Sequence, residues 1–251
     1  MRQLTIIFIS LFIFSCGGEK QEKITIAVAN NMRYAMDGIA EEFERIHHIK
    51  VEVSSSSSGT LTTQIKQGAP FDIFISANMR YPKVLFEEGF TENAPEVYAY
   101  GSLVLWTLKD VSLKDGLASL LSGEFKKVAI ANPETAPYGI AALEALRNAS
   151  LAEALKSKII WGEGISQINQ YVKSESVDAG LTSKSVLFSP KIKNKGHSVD
   201  VDKSLYSPIE QGVVLLNHGK KKNNKNAELF YKFMFSDETK TILTKFGYDV
   251  N

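Results

Sequence analysis

Four short segments of the chain carry most of the side chains that could hold a ligand. Together they are rich in serine, threonine, asparagine and glycine, and none of them contains lysine or arginine. The segments span residues 29–32, 54–60, 133–139 and 162–166. Backbone and hydroxyl donors without cations suit an anion that is recognised by its size and hydrogen-bond geometry. Each hydrogen bond to a charged group contributes about 1.5–3 kcal/mol, so several donors can hold an ion in a dry cleft.

Patterns typical of catalysis or of metal binding are weak in this sequence. It has no G-x-S-x-G nucleophile elbow and no P-loop. Residues 162–167 begin like a dinucleotide-binding fingerprint, but Gln167 stands where the last glycine should be. The spacing of the histidines fits no metal motif; they are His47, His48, His197 and His218. We therefore expect a binding protein with no cofactor and no metal cation, not an enzyme, and a hydrolytic enzyme stays the remote alternative.

The overall composition excludes some classes of partner. Lys and Arg number 29 against 28 Asp and Glu, so no net field draws the protein to nucleic acid. The hydrophobic fraction of 44% suits a globular core. Beyond the N-terminus, no apolar stretch reaches the ~20 residues that a membrane-spanning helix needs.

The N-terminus has the pattern of a secretory signal. A basic start is followed by an apolar run at residues 4–14, too short to span a bilayer, and then by small residues. Cys16 is the only cysteine of the chain, so no internal disulfide can form. Residues 13–16 resemble the lipobox of bacterial lipoproteins, although Ile13 stands where leucine is usual. The resemblance implies a signal peptide over residues 1–16, a lipid on Cys16 and a periplasmic or extracytoplasmic protein anchored to a membrane; an ordinary signal with an incidental cysteine is the alternative.

The elements that must position the four segments alternate between strands and helices. Strands are predicted at 24–29, 51–53, 71–76, 128–131, 159–161 and 179–182. Helices are predicted to begin near Met32 and Leu61 and to span 138–147, 166–173 and 227–235. This alternation predicts an α/β fold with parallel sheets covered by helices. Two extended segments, 103–108 and 213–216, are predicted to cross between two lobes, and residues 220–225 to form a solvated loop.

The four donor-rich segments lie where strands are predicted to lead into helices. In an open parallel sheet, ligands bind beyond the carboxyl ends of the strands. A helix N-terminus there presents unpaired N–H groups and a partial positive charge, so it binds anions. Serine, asparagine and proline before a helix also serve as plain helix caps, and that role stays open for any one segment. Taken together, the segments predict an anion site in a cleft between two lobes.

The order and spacing of several motifs resemble the periplasmic molybdate-binding proteins of ABC transporters, which are bacterial extracellular solute-binding proteins. The motifs lie at 29–36, 57–65, 68–77, 132–139 and 178–180. The resemblance implies a two-lobed periplasmic-binding-protein fold of type II, with the ligand cleft between lobes joined by two crossing strands. The predicted first lobe comprises residues 22–101 and 206–251, and the predicted second lobe comprises residues 102–205.

The same resemblance implies a set of ligand-binding residues. A tetrahedral oxyanion, molybdate or tungstate, would be held without cationic side chains by Asn31, by Ser58 and by the backbone N–H groups of Tyr138 and Ile165. Some family members add a tyrosine hydroxyl where this chain has Ser183, whose shorter side chain either falls short of the ion or needs a bridging water. Asp72 is expected to be structural, because a carboxylate facing the anion would repel it.

The resemblance also implies a mode of action and partners. A monomer would close its lobes on the ion and hand it to the membrane permease subunits of an ABC importer. Sulfate is fully ionised, as molybdate is, and only the size of the cleft separates the two. Phosphate can keep a proton and then needs an acceptor such as Glu134 or Glu163. The sequence therefore leaves sulfate and phosphate open as alternative ligands.

Overall fold

A computed structural model describes residues 23–91, 93–190, 192–221 and 225–250. The predicted signal peptide and Cys16 lie outside these residues. Within the described ranges, no helix combines the length and the apolar character needed to cross a membrane.

The described residues alternate between strands and helices along most of the chain. The strands are β1 (Lys23–Ala29), β2 (Lys50–Ser56), β3 (Ile73–Ser76), β4 (Glu96–Gly101), β5 (Leu103–Thr107), β6 (Val128–Ala131), β7 (Ile159–Gly162), β8 (Ala179–Ser183), β9 (His197–Asp200) and β10 (Ile209–Leu215). The α-helices are α1 (Arg33–His47), α2 (Ser58–Lys66), α3 (Arg80–Glu87), α4 (Pro137–Asn148), α5 (Ala152–Leu155), α6 (Ile165–Lys173), α7 (Asn217–Lys221), α8 (Lys225–Phe233) and α9 (Asp237–Lys245). Short 3-10 helices include Asn30–Met32 and Lys184–Phe188.

The described strands form two sheets built on one plan. The first sheet has the order β2-β1-β3-β10-β4, and the second has the order β7-β6-β8-β5-β9. In each sheet three parallel strands are followed by an antiparallel one, β10 or β5. We call the first sheet with α1–α3 and α7–α9 the first lobe, and the second sheet with α4–α6 the second lobe. The predicted two-lobed α/β fold is thereby confirmed.

The chain crosses between the two sheets twice, and neither crossing lies in the segments 103–108 and 213–216 that were predicted to cross. It passes at Ser102, between β4 and β5, and returns over residues 201–208, between β9 and β10. The segments 103–108 and 213–216 lie mostly inside the sheets, because β5 pairs with β8 and β9 while β10 pairs with β3 and β4. A buried strand reads as a continuous apolar run wherever it lies, so the sequence pattern did not distinguish a crossing from a central strand.

The serine-rich segment is partly a strand and not a loop throughout. Residues 54–56 form the end of β2 and pair in parallel register with Ala27, Val28 and Ala29 of β1. Backbone pairing with a neighbouring strand here overrides the modest strand preference of serine. As a consequence β1 and β2 end side by side, and the helical turns that follow them begin next to each other.

Several elements were not predicted from the sequence. They are α3, α5, α7, α9, β4 and β9, none of which exceeds nine residues. The predicted loop at 220–225 overlaps the end of α7 at Lys221 and the start of α8 at Lys225. Such short elements show too few apolar repeats for a clear period.

Helices cover both faces of the first sheet, and their packing holds its strands in place. Alternate residues of β1 point to opposite sides, so that Ile24, Ile26 and Val28 pack in one core with α1 and α8. Ala27 and Phe74 pack in a second core with helices α2 and α3. A third core covers the second sheet. Loops at the carboxyl ends of these strands therefore rest on rigid supports.

Candidate anion-binding site

Four helix starts surround a small cavity between the two lobes. The 3-10 helix Asn30–Met32 follows β1, α2 follows β2, α4 follows β6, and α6 follows β7. Because β1 pairs with β2 and β6 with β7 in parallel, the carboxyl ends of each pair lie together. The cavity has an empty volume of about 230 Å³. It is lined by Ala29, Asn30, Asn31, Ser57, Ser58, Ala77, Ala136, Pro137, Tyr138, Gly164 and Ile165.

The cavity is positive in character without containing a cation. None of the described residues that line it has a charged side chain. The first N–H groups of a helix have no intrahelical partner and carry the positive end of the helix dipole. The N-termini of α2, α4 and α6, which are nine, twelve and nine residues long, meet here. Such an arrangement stabilises a small anion.

Asn31 lies in the first helical start and is 1% exposed. Its side-chain amide nitrogen donates to Gln211 Oε1 at 2.7 Å and to the Tyr248 hydroxyl at 2.9 Å. Gln211 Nε2 in turn donates to the carbonyls of Ala77 and Ile209, so Gln211 must present its oxygen to Asn31. The side chain of Asn31 is thus held by the first lobe, and its backbone N–H is the donor that it can offer to the cavity.

Ser58 is the first residue of α2 and is 1% exposed. Its Oγ accepts a hydrogen bond from the backbone N–H of Ala77 at 3.0 Å. That bond leaves the hydroxyl proton of Ser58 available to an anion in the cavity. Ser57 caps the same helix, since its Oγ accepts from the N–H of Thr60 at 3.2 Å. The cap holds the helix start, and with it Ser58, in place.

Tyr138 and Ile165 supply backbone donors from the second lobe. Pro137 occupies the first position of α4, so Tyr138 carries the first N–H of that helix, and this N–H lacks an intrahelical acceptor. Ile165 is the first residue of α6 and follows Gly164, whose backbone is extended. Both residues line the cavity. The structure therefore brings Asn31, Ser58, Tyr138 and Ile165 together as the sequence predicts, and their contact with a ligand stays a prediction.

Ser183 is the exception among the predicted site residues. It is fully buried at the end of β8 and does not line the cavity. The hydroxyl of Ser185 donates to the backbone carbonyl of Asn31 at 2.7 Å. The 3.0 Å contact between Ser183 and Ser185 must then use the proton of Ser183. Because the hydroxyl proton of Ser183 is donated to Ser185, Ser183 stabilises Asn31 only indirectly, through Ser185. Ser183 is not placed to contact a ligand in the cavity.

The lobes touch across the mouth of the cavity. The N–H of Gly59, in the first lobe, donates to the carbonyl of Thr135, in the second lobe, at 3.1 Å. The hydroxyl of Tyr81 donates to the carbonyl of Glu134 at 3.0 Å. These two hydrogen bonds, which we call the mouth bridge, hold the structure in a closed form.

Three residues that hold Asn31 were missed by the sequence analysis. They are Gln211, Tyr248 and Ser185, which position Asn31 from other parts of the chain. Burial raises the pKa of the Tyr248 hydroxyl, so it stays protonated and donates to the Asn31 carbonyl at 3.0 Å. The signal available for Gln211 was a polar residue close before the apolar run at 213–216.

Asp72 is structural in the way that the sequence predicts. It is 4% exposed, and its Oδ2 accepts from the backbone N–H of Thr25 at 2.8 Å. Asp72 does not line the cavity. In the described parts of the chain, no three His, Cys, Asp or Glu side chains are grouped to hold a metal ion.

Comparisons with known proteins agree over nearly the whole described chain. The profile of the family described as "Bacterial extracellular solute-binding protein" matches residues 24–249. The molybdate-binding protein ModA of Azotobacter vinelandii is 34% identical over 94% of this chain and 93% of its own length. A putative ABC transporter substrate-binding lipoprotein of Bacillus subtilis, YvgL, is 30% identical over 93% of this chain and 89% of its own. The solved structure of the periplasmic molybdate-binding protein of Azotobacter vinelandii has a TM-score of 0.84 and 28% identity, and covers 91% of this chain and 99% of that one.

Proposed function

Because this chain belongs to the bacterial extracellular solute-binding protein family, we propose that it binds molybdate, or tungstate of nearly the same shape and charge, for delivery to an ABC importer. The observation that carries the proposal is the uncharged cavity at which four helix starts meet. The relative from Azotobacter vinelandii is named for molybdate, and the one from Bacillus subtilis for an ABC transporter.

The donors at the cavity fit a tetrahedral ion. Two of them come from the first lobe, the hydroxyl of Ser58 and the backbone N–H of Asn31. The other two are the backbone N–H groups of Tyr138 and Ile165 in the second lobe. An ion with four oxygens can accept from both lobes at once, and each such bond contributes about 1.5–3 kcal/mol. Contact with both lobes is what makes the ion favour the closed form.

The lining argues against phosphate and against catalysis. A phosphate that keeps a proton needs an acceptor, yet Glu134 and Glu163 are exposed and lie outside the lining. No residue of the described lining pairs a nucleophile with a histidine or carboxylate base. We therefore propose that the protein binds and releases its ion unchanged.

We also propose a location outside the cytoplasm, with the chain tethered by a lipid on Cys16. Support comes from the signal-like residues 1–16 and from the lipoprotein named among the relatives. The tether would keep the protein close to the permease subunits that receive the ion. Equal incorporation of a fatty-acid analogue by wild type and Cys16→Ser would refute the lipid anchor alone.

Calorimetric titration of the form that starts at Glu19 tests the ligand. Molybdate, tungstate, sulfate and phosphate are added in turn at constant ionic strength. We expect tight binding of the first two and little heat from the others, because relatives of this chain are named for molybdate. Tight binding of sulfate alone would mean that the ligand is sulfate and not molybdate. No heat from any of the four would overturn the oxyanion proposal and leave the family membership standing.

A further inference from the structure

The side chain of Tyr138 reaches from one lobe into the other. Its backbone lies in the first turn of α4 in the second lobe, but its hydroxyl lies against Gly101 of β4 in the first lobe. A Cβ atom added to Gly101 would overlap the Tyr138 hydroxyl and would lie 2.9 Å from Gln211 Nε2. We call this contact the phenol seat. Its two sides belong to different lobes, so its geometry depends on how far the lobes are closed.

The hydroxyl in the phenol seat is buried without a hydrogen-bond partner. Tyr138 is 2% exposed, and its hydroxyl makes no hydrogen bond in the closed form described here. The Asn31 side chain lies near this hydroxyl and offsets part of the rise in its pKa, but Asn31 Oδ1 is likewise buried and the two groups do not meet at hydrogen-bonding geometry. Burial raises the pKa of the Tyr138 phenol well above its usual range, so the group carries its proton throughout. Removing a hydroxyl from water without giving it a partner is unfavourable, and closure of the lobes does so here.

We propose that the Tyr138 hydroxyl is a brake on lobe closure, which the bound anion overcomes. The proposal rests on the proposed function, because the anion is held by the backbone N–H of the same residue. When the lobes part, the hydroxyl regains contact with water and the cost disappears. In the absence of an ion the open form is therefore favoured, and the permease rarely meets a closed, empty protein. The affinity for the ion is correspondingly lower than the donors alone would give.

Two substitutions act on the phenol seat in opposite directions. Tyr138→Phe keeps the ring and the backbone donor and removes only the unpaired hydroxyl, so we expect molybdate to bind roughly tenfold more tightly. Gly101→Ala fills the seat and should weaken binding by roughly tenfold or more, as overpacking of a buried site does. In the double variant part of that loss should be recovered, because the group that the new methyl overlaps is gone.

Lobe closure can be followed directly by energy transfer between two dyes. The form starting at Glu19 contains no cysteine, so dyes attach only at cysteines introduced at the exposed positions Glu41, in the first lobe, and Glu153, in the second. Matched controls are Tyr171→Phe on α6 and Gly38→Ala in α1. The added Cβ of Gly38→Ala would meet Ile242 at an ordinary 3.6 Å. Both controls should close and bind as wild type does.

The ligand-free protein carrying Tyr138→Phe should show more of the closed form than wild type, and Gly101→Ala less. Unchanged or weaker binding in Tyr138→Phe would contradict the proposal that the Tyr138 hydroxyl opposes closure of the lobes. Equal energy transfer in Gly101→Ala and in the double variant would show that the contact between Gly101 and the Tyr138 hydroxyl does not control closure. A wild type that does not respond to molybdate would instead defeat the proposed function, and the ligand-free measurements would still decide whether the phenol seat controls closure.

Discussion

The two lobes contribute different chemistry to one cavity. The first lobe presents polar side chains, among them Ser58, and fixes them with further side chains such as Gln211. The second lobe lines the cavity with Ala136, Pro137, Gly164 and Ile165, which have no polar side chain, and with Tyr138, whose hydroxyl lies against Gly101 of the first lobe. The donors that the second lobe offers to the cavity are therefore backbone N–H groups. Side-chain identity should therefore matter on one side of the cleft, and backbone geometry on the other.

The sharpest test of this difference is to remove a backbone donor from the second lobe. Proline is compatible with the first position of a helix, and Gly164 already has the extended backbone that precedes proline. Ile165→Pro deletes the N–H and puts a ring in its place, so we expect affinity to fall by roughly 100-fold. Calorimetry with molybdate measures the loss, and thermal unfolding of the ligand-free protein checks that α6 is intact.

The matched control is Ile165→Val, which keeps the N–H and changes only the apolar side chain. Its affinity should stay within about twofold of wild type, as expected where the side chain makes no polar contact with the ion. Equal losses in the proline and valine variants would show that the side chain, and not the backbone, is the contribution of the second lobe.

The next largest effect is expected for the hydroxyl on the first lobe. Ser58→Ala removes a donor to the ion and should weaken molybdate binding by about 1.5–3 kcal/mol. Ser157→Ala is the matched control, because Ser157 is exposed and precedes β7 at the far end of the second sheet. Unchanged affinity in Ser58→Ala would remove this hydroxyl from the site and leave both lobes binding through the backbone alone.

The smallest effect on binding is expected at the end of the second sheet that faces away from the cavity. Asp178 precedes β8 and accepts from the N–H groups of Lys126 and Lys127 at 2.6 and 2.7 Å, and pairs with Lys109 at 2.8 Å. Burial alone would raise the pKa of Asp178, but these bonds together lower it. Asp178→Asn should reduce the free energy of unfolding by about 1–2 kcal/mol at pH 7 and leave the affinity for molybdate unchanged.

The pH dependence follows from the sign of that shift. A carboxyl with a lowered pKa stabilises the fold above its unfolded value of about 3.9, and the contribution is lost as the pH falls through the folded value. Urea unfolding at pH 7 and near pH 3 should therefore show the gap between wild type and Asp178→Asn shrinking in acid. A gap of constant size would mean that the shape of the side chain, and not its charge, is what matters.

The strands and the site loops were largely predictable because their signals are local. The strand at 128–131 was predicted with its observed limits, and the helix predicted at 138–147 spans Pro137–Asn148. In both cases the apolar pattern is bounded by turn residues close in sequence. Ser58 and Ile165 line the cavity for the same reason, since strand ends and helix starts can be identified locally.

What the sequence did not reveal depends on contacts between distant residues. Gln211 and Tyr248, which hold the side chain of Asn31, are 180 and 217 positions away from it. The role of Ser183 turns on which of two hydroxyls donates to the other, a matter of three-dimensional arrangement. The segments 103–108 and 213–216 were wrongly predicted to cross between the lobes because pairing, and not composition, assigns a strand to its sheet.

The mouth bridge spans a cavity whose lining is almost entirely shut off from water, with Asn31 and Ser58 each 1% exposed. We expect an ion inside to leave after the lobes part. Its dissociation rate is then set by the rate at which the ion-bound lobes open, and this rate falls as the ion bonds more strongly to both lobes. Ions of similar size should reach the open cleft equally fast and differ mainly in residence time. A transporter that pulls the lobes apart would thus control the moment of release without having to compete for the ion.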